Sequence, residues 1–154
     1  MPIDFDSTDV ALLRELQADA RLSYRQLAVR IHLSPPATAG RVRRLEQAGV
    51  LRHYRAVVNP LAVGRGLEAF IRFQGNDNRA VEALMGQLPS LPAVRELHHL
   101  VGEDCFLLRV AVADVAELEG LLARIGHDGT TRTSIVLSSP VTFAPLLPPP
   151  DASP

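Results

Sequence analysis

The apolar residues of this chain change rhythm at Asn59-Pro60, and that change limits it to two modules of different architecture. Asp6 or Ser7 can cap a first helix over residues 6–18, where Val10, Leu13 and Leu16 or Gln17 recur at helical spacing. Ser23 with Gln26 three residues later is a capping-box pattern, and Leu27, Ala28 and Ile31 line one face of a short second helix. His32, Leu33 and Ser34 separate it from a third helix. Ser34 suits the N-cap, and Pro35 falls at the first helical position, where its missing N–H costs nothing. Pro36 is still within the first turn, and Gly49 suits the C-terminal cap. Tyr54, Ala56 and Val58 then alternate as a strand ended by Asn59-Pro60, and Gly64 and Gly66 mark a hinge or linker.

Beyond the linker the order is strand, helix, strand, strand, helix, strand. "LEAFIRF" alternates, "NRAVEALMGQLP" turns Val81, Leu84, Met85 and Leu88 inward, and "AVRELHHLV" and "CFLLRVAVA" form a hairpin over "GED". Asp114 and Glu117 start a helix continued by Leu118, Leu121, Leu122 and Ile125, and "RTSIVLS" is the last strand. This is the split βαβ pattern of a ferredoxin-like sandwich. The expected fold is α+β: an N-terminal helix-turn-helix domain, winged-helix-like, plus a C-terminal ferredoxin-like βαββαβ sandwich. The expected boundaries are 1–59, a linker at 60–66, 67–145, and a disordered Pro-rich tail at 146–154. An antiparallel sheet with helices on one face leaves its other face to be covered, and a second copy is the natural cover.

Charge divides the chain at the same place. From Arg21 to Arg55 eight arginines face the single acid Glu46, a surplus of +7, whereas from Pro60 onward seven arginines meet eleven acids, a balance of −4. A basic module joined to an acidic one points to a polyanion partner for the first. No apolar run approaches the roughly 18 residues of a membrane span, and the acidic start "MPIDFDSTDV" lacks the regions of a secretory signal. A cytoplasmic protein is the expectation. One cysteine, Cys105, leaves no disulfide framework and no cysteine-rich zinc site.

The third helix carries the functional signal. Thr38, Val42 and Leu45 form its inward stripe, and the opposite face presents Pro36, Ala37, Gly40 and Arg44, with Arg43 at its edge and Arg41 on the other flank. A solvent face that is small and then basic makes sense where another object must approach the backbone. An α-helix fits the DNA major groove, with nearby arginines on phosphates. Arg41 and Arg44 are expected to reach base edges or groove phosphates. Arg25, Arg43, Arg52 and Arg55 are expected to contact phosphates or flank the bundle, and Tyr24 and Ser34 complete the candidate interface.

"DARLSYRQLAVRIHLSPPATAGRVRRLEQAGVLRHYRAVVNPLAVG" resembles the DNA-binding domain of the Lrp/AsnC family, through the "LS" turn, Ser34-Pro35, "RVRRLE", Gly49-Val50 and "NP". The resemblance covers about residues 4–145. It implies a transcription regulator on double-stranded DNA, a homodimer that assembles further into tetramers or octamers, and an amino acid or related small molecule bound between dimers. It also implies an effector site on the hairpin "LVGEDCFLL". Gly102 matches the family glycine, Glu103 and Asp104 adjoin it, and Thr131 and Thr133 match a "T-x-T" on the last strand. The family's acid three residues after that glycine is here Cys105, which cannot offer a carboxylate to an α-amino group. No cofactor, metal or catalytic residue is expected. His98 and His99 are adjacent on a strand and face opposite ways, so they do not share an ion easily. The alternative reading is an enzyme of the same two-domain plan, a tetrapyrrole decarboxylase, with His98 or His99 as acid or base.

Overall fold

The structure is a computed structural model that describes residues 4–102, 105–127 and 129–149. It divides into two units. One gathers the residues up to Ala56 together with those from Val141 onward, and the other spans Val57–Pro140.

The first unit is built on three helices, α1 (Ser7–Ala18), α2 (Tyr24–Arg30) and α3 (Pro35–Gln47). Each begins on a side-chain cap. The Asp6 carboxylate accepts from the Asp9 N–H, and the Asp9 carboxylate accepts from the Asp6 N–H in return. Ser23 and Gln26 close the same reciprocal pair at α2. At α3 the Ser34 hydroxyl accepts from Ala37 N–H with Pro35 at the first position. Such caps satisfy N–H groups that the helix itself leaves unpaired. Helix α3 ends in a Schellman motif: Gly49 has φ 71°, and the N–H groups of Gly49 and Val50 donate to the carbonyls of Glu46 and Leu45. Helix α2 ends in the same way with His32 at φ 55° and the Leu33 N–H on the Ala28 carbonyl. This left-handed residue makes the turn between α2 and α3 tight.

The core of this unit joins Leu12, Leu13 and Leu16 of α1, Leu27 and Ile31 of α2 and its cap, and Val42 and Leu45 of α3. Each fully buried leucine here contributes about 1.5–3 kcal/mol. Thr38 is also fully buried, and its hydroxyl donates to the Ser34 carbonyl at 3.0 Å, so no polar atom is stranded. The expected strand over residues 54–58 is not formed: Tyr54 to Val58 are exposed and pair with no strand among the described residues. Alternation alone does not make a strand without a neighbour to hydrogen-bond. The tail, expected to be disordered from residue 146, is held at its start. The Gln17 amide donates to the Leu146 carbonyl at 3.0 Å and accepts from the Leu146 N–H at 2.8 Å, and Leu147 packs on the helical core.

The second unit is a four-stranded antiparallel sheet of β1 (Leu67–Gly75), β2 (Val94–His99), β3 (Phe106–Val112) and β4 (Gly129–Ile135), ordered β2-β3-β1-β4. Helices α4 (Asn78–Gln87) and α5 (Val115–Gly126) cover one face, packing on Ala69, Ile71 and Phe73 of β1 and on alternate residues of β3. The last strand thus starts earlier than "RTSIVLS" and ends at Ile135. Residues 60–66, read as a hinge, are built into this unit. They form a 3-10 turn at Leu61–Val63, and the Arg65 side chain donates to the Ala111 carbonyl and to Glu117. The other sheet face carries a charge relay, Glu68–Arg109–Glu96–His98, running across β1, β3 and β2.

Candidate nucleic-acid interface and effector hairpin

The α2–turn–α3 segment places Pro36, Ala37 and Gly40 on the exposed side of α3, opposite buried Thr38, Val42 and Leu45. A Cβ built at Gly40 would meet nothing within 4 Å. The chain itself therefore does not require glycine there. Ser34 is committed to capping α3. Tyr24, at the start of α2, is half-exposed and lines a groove of about 370 Å3 with Glu46 and Tyr54. The Tyr54 hydroxyl donates to Glu46 at 2.9 Å. Partial burial of its ring, followed by the bond to and charge of Glu46, pushes its pKa up to about 12.

The arginines separate into two sets. Arg25, Arg43, Arg52 and Arg55 are exposed and have no side-chain partner among the described residues. Arg41 and Arg44, the two expected to reach DNA, are tied to acids at the start of the first helix. Arg41 donates to Asp6 at 2.6 Å and to Asp9 at 2.9 Å, and Arg44 donates to the other oxygen of Asp9. Asp9 is fully buried, while the two arginine side chains remain 30 % and 46 % exposed. The sequence reading missed Asp9 because the acid lies 32 and 35 residues from its partners. Its signal was local: the acid at the third position of α1 already completes the capping box with Asp6. Asp6 is held below its ordinary value by the Asp9 N–H first and then by Arg41, with partial burial opposing. The Arg41 guanidinium is driven further up by Asp6 and Asp9.

In the second unit Gly102 has φ 147°, a backbone region that favours glycine, and a Cβ there would meet nothing within 4 Å. Conformation, not crowding within the chain, asks for glycine. Glu103 and Asp104 lie outside the described residues. The Cys105 N–H donates to the Phe73 carbonyl at 3.0 Å, and Phe73 pairs with Thr131 across β1 and β4. The hairpin and Thr131 therefore lie at one end of the sheet with β1 between them, and Thr133, opposite Ile71, is two residues further along. Cys105 is partly buried against the sheet core. The histidines diverge: His98 meets Glu96 at 3.3 Å, and His99 stacks on Phe106 with ring centroids 4.8 Å apart. Among the described residues no three His, Cys, Asp or Glu side chains are grouped to hold a metal ion, and no helix is long and apolar enough to cross a membrane.

A helix-turn-helix with a low, basic-flanked third helix, joined to a βαββαβ domain, defines a DNA-binding regulator with an attached sensor domain. The comparisons agree on both halves. The AsnC-type helix-turn-helix domain matches residues 5–46 and the Lrp/AsnC ligand binding domain matches residues 68–146. The chain is 38% identical over 136 residues to the HTH-type transcriptional regulator LrpA of Mycobacterium tuberculosis, covering 87% of this chain and 91% of that protein. It is 38% identical over 121 residues to the leucine-responsive regulatory protein of Rhizobium meliloti, covering 76% of each. The structure of Bacillus subtilis LrpC matches with a TM-score of 0.86 at 26% identity, over 92% of this chain and 100% of that one. A Neisseria meningitidis transcriptional regulator in complex with L-methionine matches with a TM-score of 0.85 at 31% identity, over 92% and 96%. The chain belongs to the Lrp/AsnC family of helix-turn-helix transcriptional regulators.

Proposed function

We propose that this regulator binds DNA as a dimer, seating the Pro36–Gly40 face of α3 in the major groove and neutralising phosphates with Arg25, Arg43, Arg52 and Arg55. The observation that carries this reading is the contrast on one unit: four exposed arginines without a partner among the described residues, and a helix face kept low by Ala37 and Gly40. Arg41 and Arg44 act through Asp9, which holds their guanidinium groups at a set height along α3. Two copies joined through the open sheet face present two such helices, so a near-palindromic site is expected. The charge relay on that face and half-exposed Phe70 are the groups a second copy would cover.

An amino acid or related small molecule modulates this binding in our reading, at the end of the sheet where the Gly102 hairpin and Thr131 meet β1. The L-methionine complex of the Neisseria relative supports an amino-acid ligand for this domain type. Cys105 replaces the acid that would receive an α-amino group, so the ligand's ammonium is bound by other groups or is absent.

Fluorescence anisotropy with labelled operator fragments over a salt series tests the interface. Arg43→Ala should weaken binding across all sequences and flatten the log–log salt slope by about one unit. An unchanged slope for each of the four arginine variants would remove them from the phosphate contacts.

A further inference from the structure

A cavity of about 340 Å3 opens in the second unit beside α5, away from the hairpin. Its apolar wall is formed by Leu91, Ala93 and Leu121, and its charged rim by Arg65, Glu117 and Arg124. Ala93 and Leu121 are buried, so this wall is solid rather than a surface patch. Among the described residues the rim sets two arginines against one glutamate. Glu117 and Arg65 pair at 3.0 Å, whereas Arg124 has no hydrogen-bond or ion-pair partner among the described residues. Among the described residues only Nη1 of Arg65 is engaged, on the Ala111 carbonyl and Glu117, so its Nη2 and Nε donors remain. Glu117 is kept ionised by the Ala113 N–H and by Arg65.

We propose that this cavity binds a small monocarboxylate with an apolar body, its carboxylate on Arg124 and Arg65 and its body on Leu91, Ala93 and Leu121. The volume falls at the small end of ligand pockets, about 300–1,000 Å3. A net single positive rim suits a monoanion, and a guanidinium fork suits a carboxylate. Amino acids and the corresponding oxo acids share this chemistry. Glu117, already accepting from two donors, has lone pairs left for an ammonium group. The site is separate from the hairpin and does not rest on it. Its position gives it a lever. Arg65 also donates its backbone N–H to the Pro60 carbonyl at 2.8 Å, so a ligand on its side chain would fix the segment that leads from the first unit into β1.

Isothermal titration of the full chain tests this with leucine, 4-methyl-2-oxopentanoate, 4-methylpentanoate and 3-methylbutylamine. The acids should bind and the amine should not. Tighter binding of leucine than of the oxo acid would assign Glu117 to the ammonium, and the reverse would assign an oxo or simple acid. Arg124→Gln should weaken binding about tenfold or more, and Arg124→Lys should weaken it less. Arg124 is exposed, and matching circular dichroism spectra will verify that both variants fold. The Thr131→Val/Thr133→Val double variant should leave this binding unchanged. Equal binding by Arg124→Gln and wild type, equal binding of the amine, or no binding of any acid would overturn the proposal. Binding lost in the threonine variant but kept in Arg124→Gln would also overturn it, while leaving the hairpin reading intact.

Discussion

Asp9 concentrates three duties in one carboxylate: it caps its own helix and holds Arg41 and Arg44 on another. A fully buried anion is tolerable only because every lone pair it needs is met by charge-assisted bonds. Asp9→Asn keeps the size but loses the charge. It should destabilise the protein by about 2 kcal/mol in urea unfolding. It should also release both arginines toward phosphate, steepening the salt slope of DNA binding by about one to two units while blurring discrimination between operator and random sequence. A salt slope equal to wild type would mean the arginines reach DNA without leaving Asp9. His32 is the opposite case, a residue in a conformation it does not favour. The left-handed region costs a side chain about 1–2 kcal/mol, part of which glycine gives back as unfolded-state entropy. His32→Gly should therefore raise stability by about 0.5–1 kcal/mol, read from the shift in urea midpoint at constant slope.

At the scale of elements, what was legible depended on range. The caps at Ser23, Ser34 and Asp114, and the glycine end of α3, follow from residues within four positions of each other, and the structure has them where the pattern puts them. The order of elements along the second unit was legible too, because period-two and helical patterns alternate cleanly along it. The strand at 54–58 was misread because pairing is a property of two segments, and its pattern describes only one. The same limit hid the Asp9 pairs and the Glu68–Arg109–Glu96 relay, where the partners are distant in sequence. Glycine roles were half legible. Gly129 sits opposite Gly75 on β1, and a Cβ there would collide with the Gln74 carbonyl oxygen and lie 2.6 Å from the Phe73 ring. Gly129→Ala should push the start of β4 off β1, at a cost of about 1–3 kcal/mol. Since β4 carries Thr131 and Thr133, hydrogen exchange should quicken along 129–133 in this variant; unchanged protection there would show that the strand absorbs the methyl group without moving.

For the whole molecule, three carboxylates of both units share a direction. Asp6 is lowered by the Asp9 N–H and Arg41, Glu96, although burial works to raise it, by His98 and Arg109, and Glu117 by the Ala113 N–H and Arg65. A folded-state pKa below the unfolded one gives stability that is present above the unfolded value and lost as pH falls through the folded one. The ordinary values are 3.8 for Asp6 and 4.5 for the two glutamates, so unfolding midpoints should decline as the solution is taken below about pH 5 and continue to decline past these values. Midpoints that hold level to about pH 3 would contradict this. All three groups are partly exposed, and added salt should shrink the effect. The Leu146 clasp on Gln17 has a consequence in time. The two residues are 129 positions apart, and synthesis at about 5–20 residues per second puts on the order of ten seconds between them. Helix α1 is made before the second unit and completed after it. Until Leu147 arrives to lie on its leucines, the nascent DNA-binding half lacks one piece of its own cover, and its maturation waits on the far side of the sensor that is made in between.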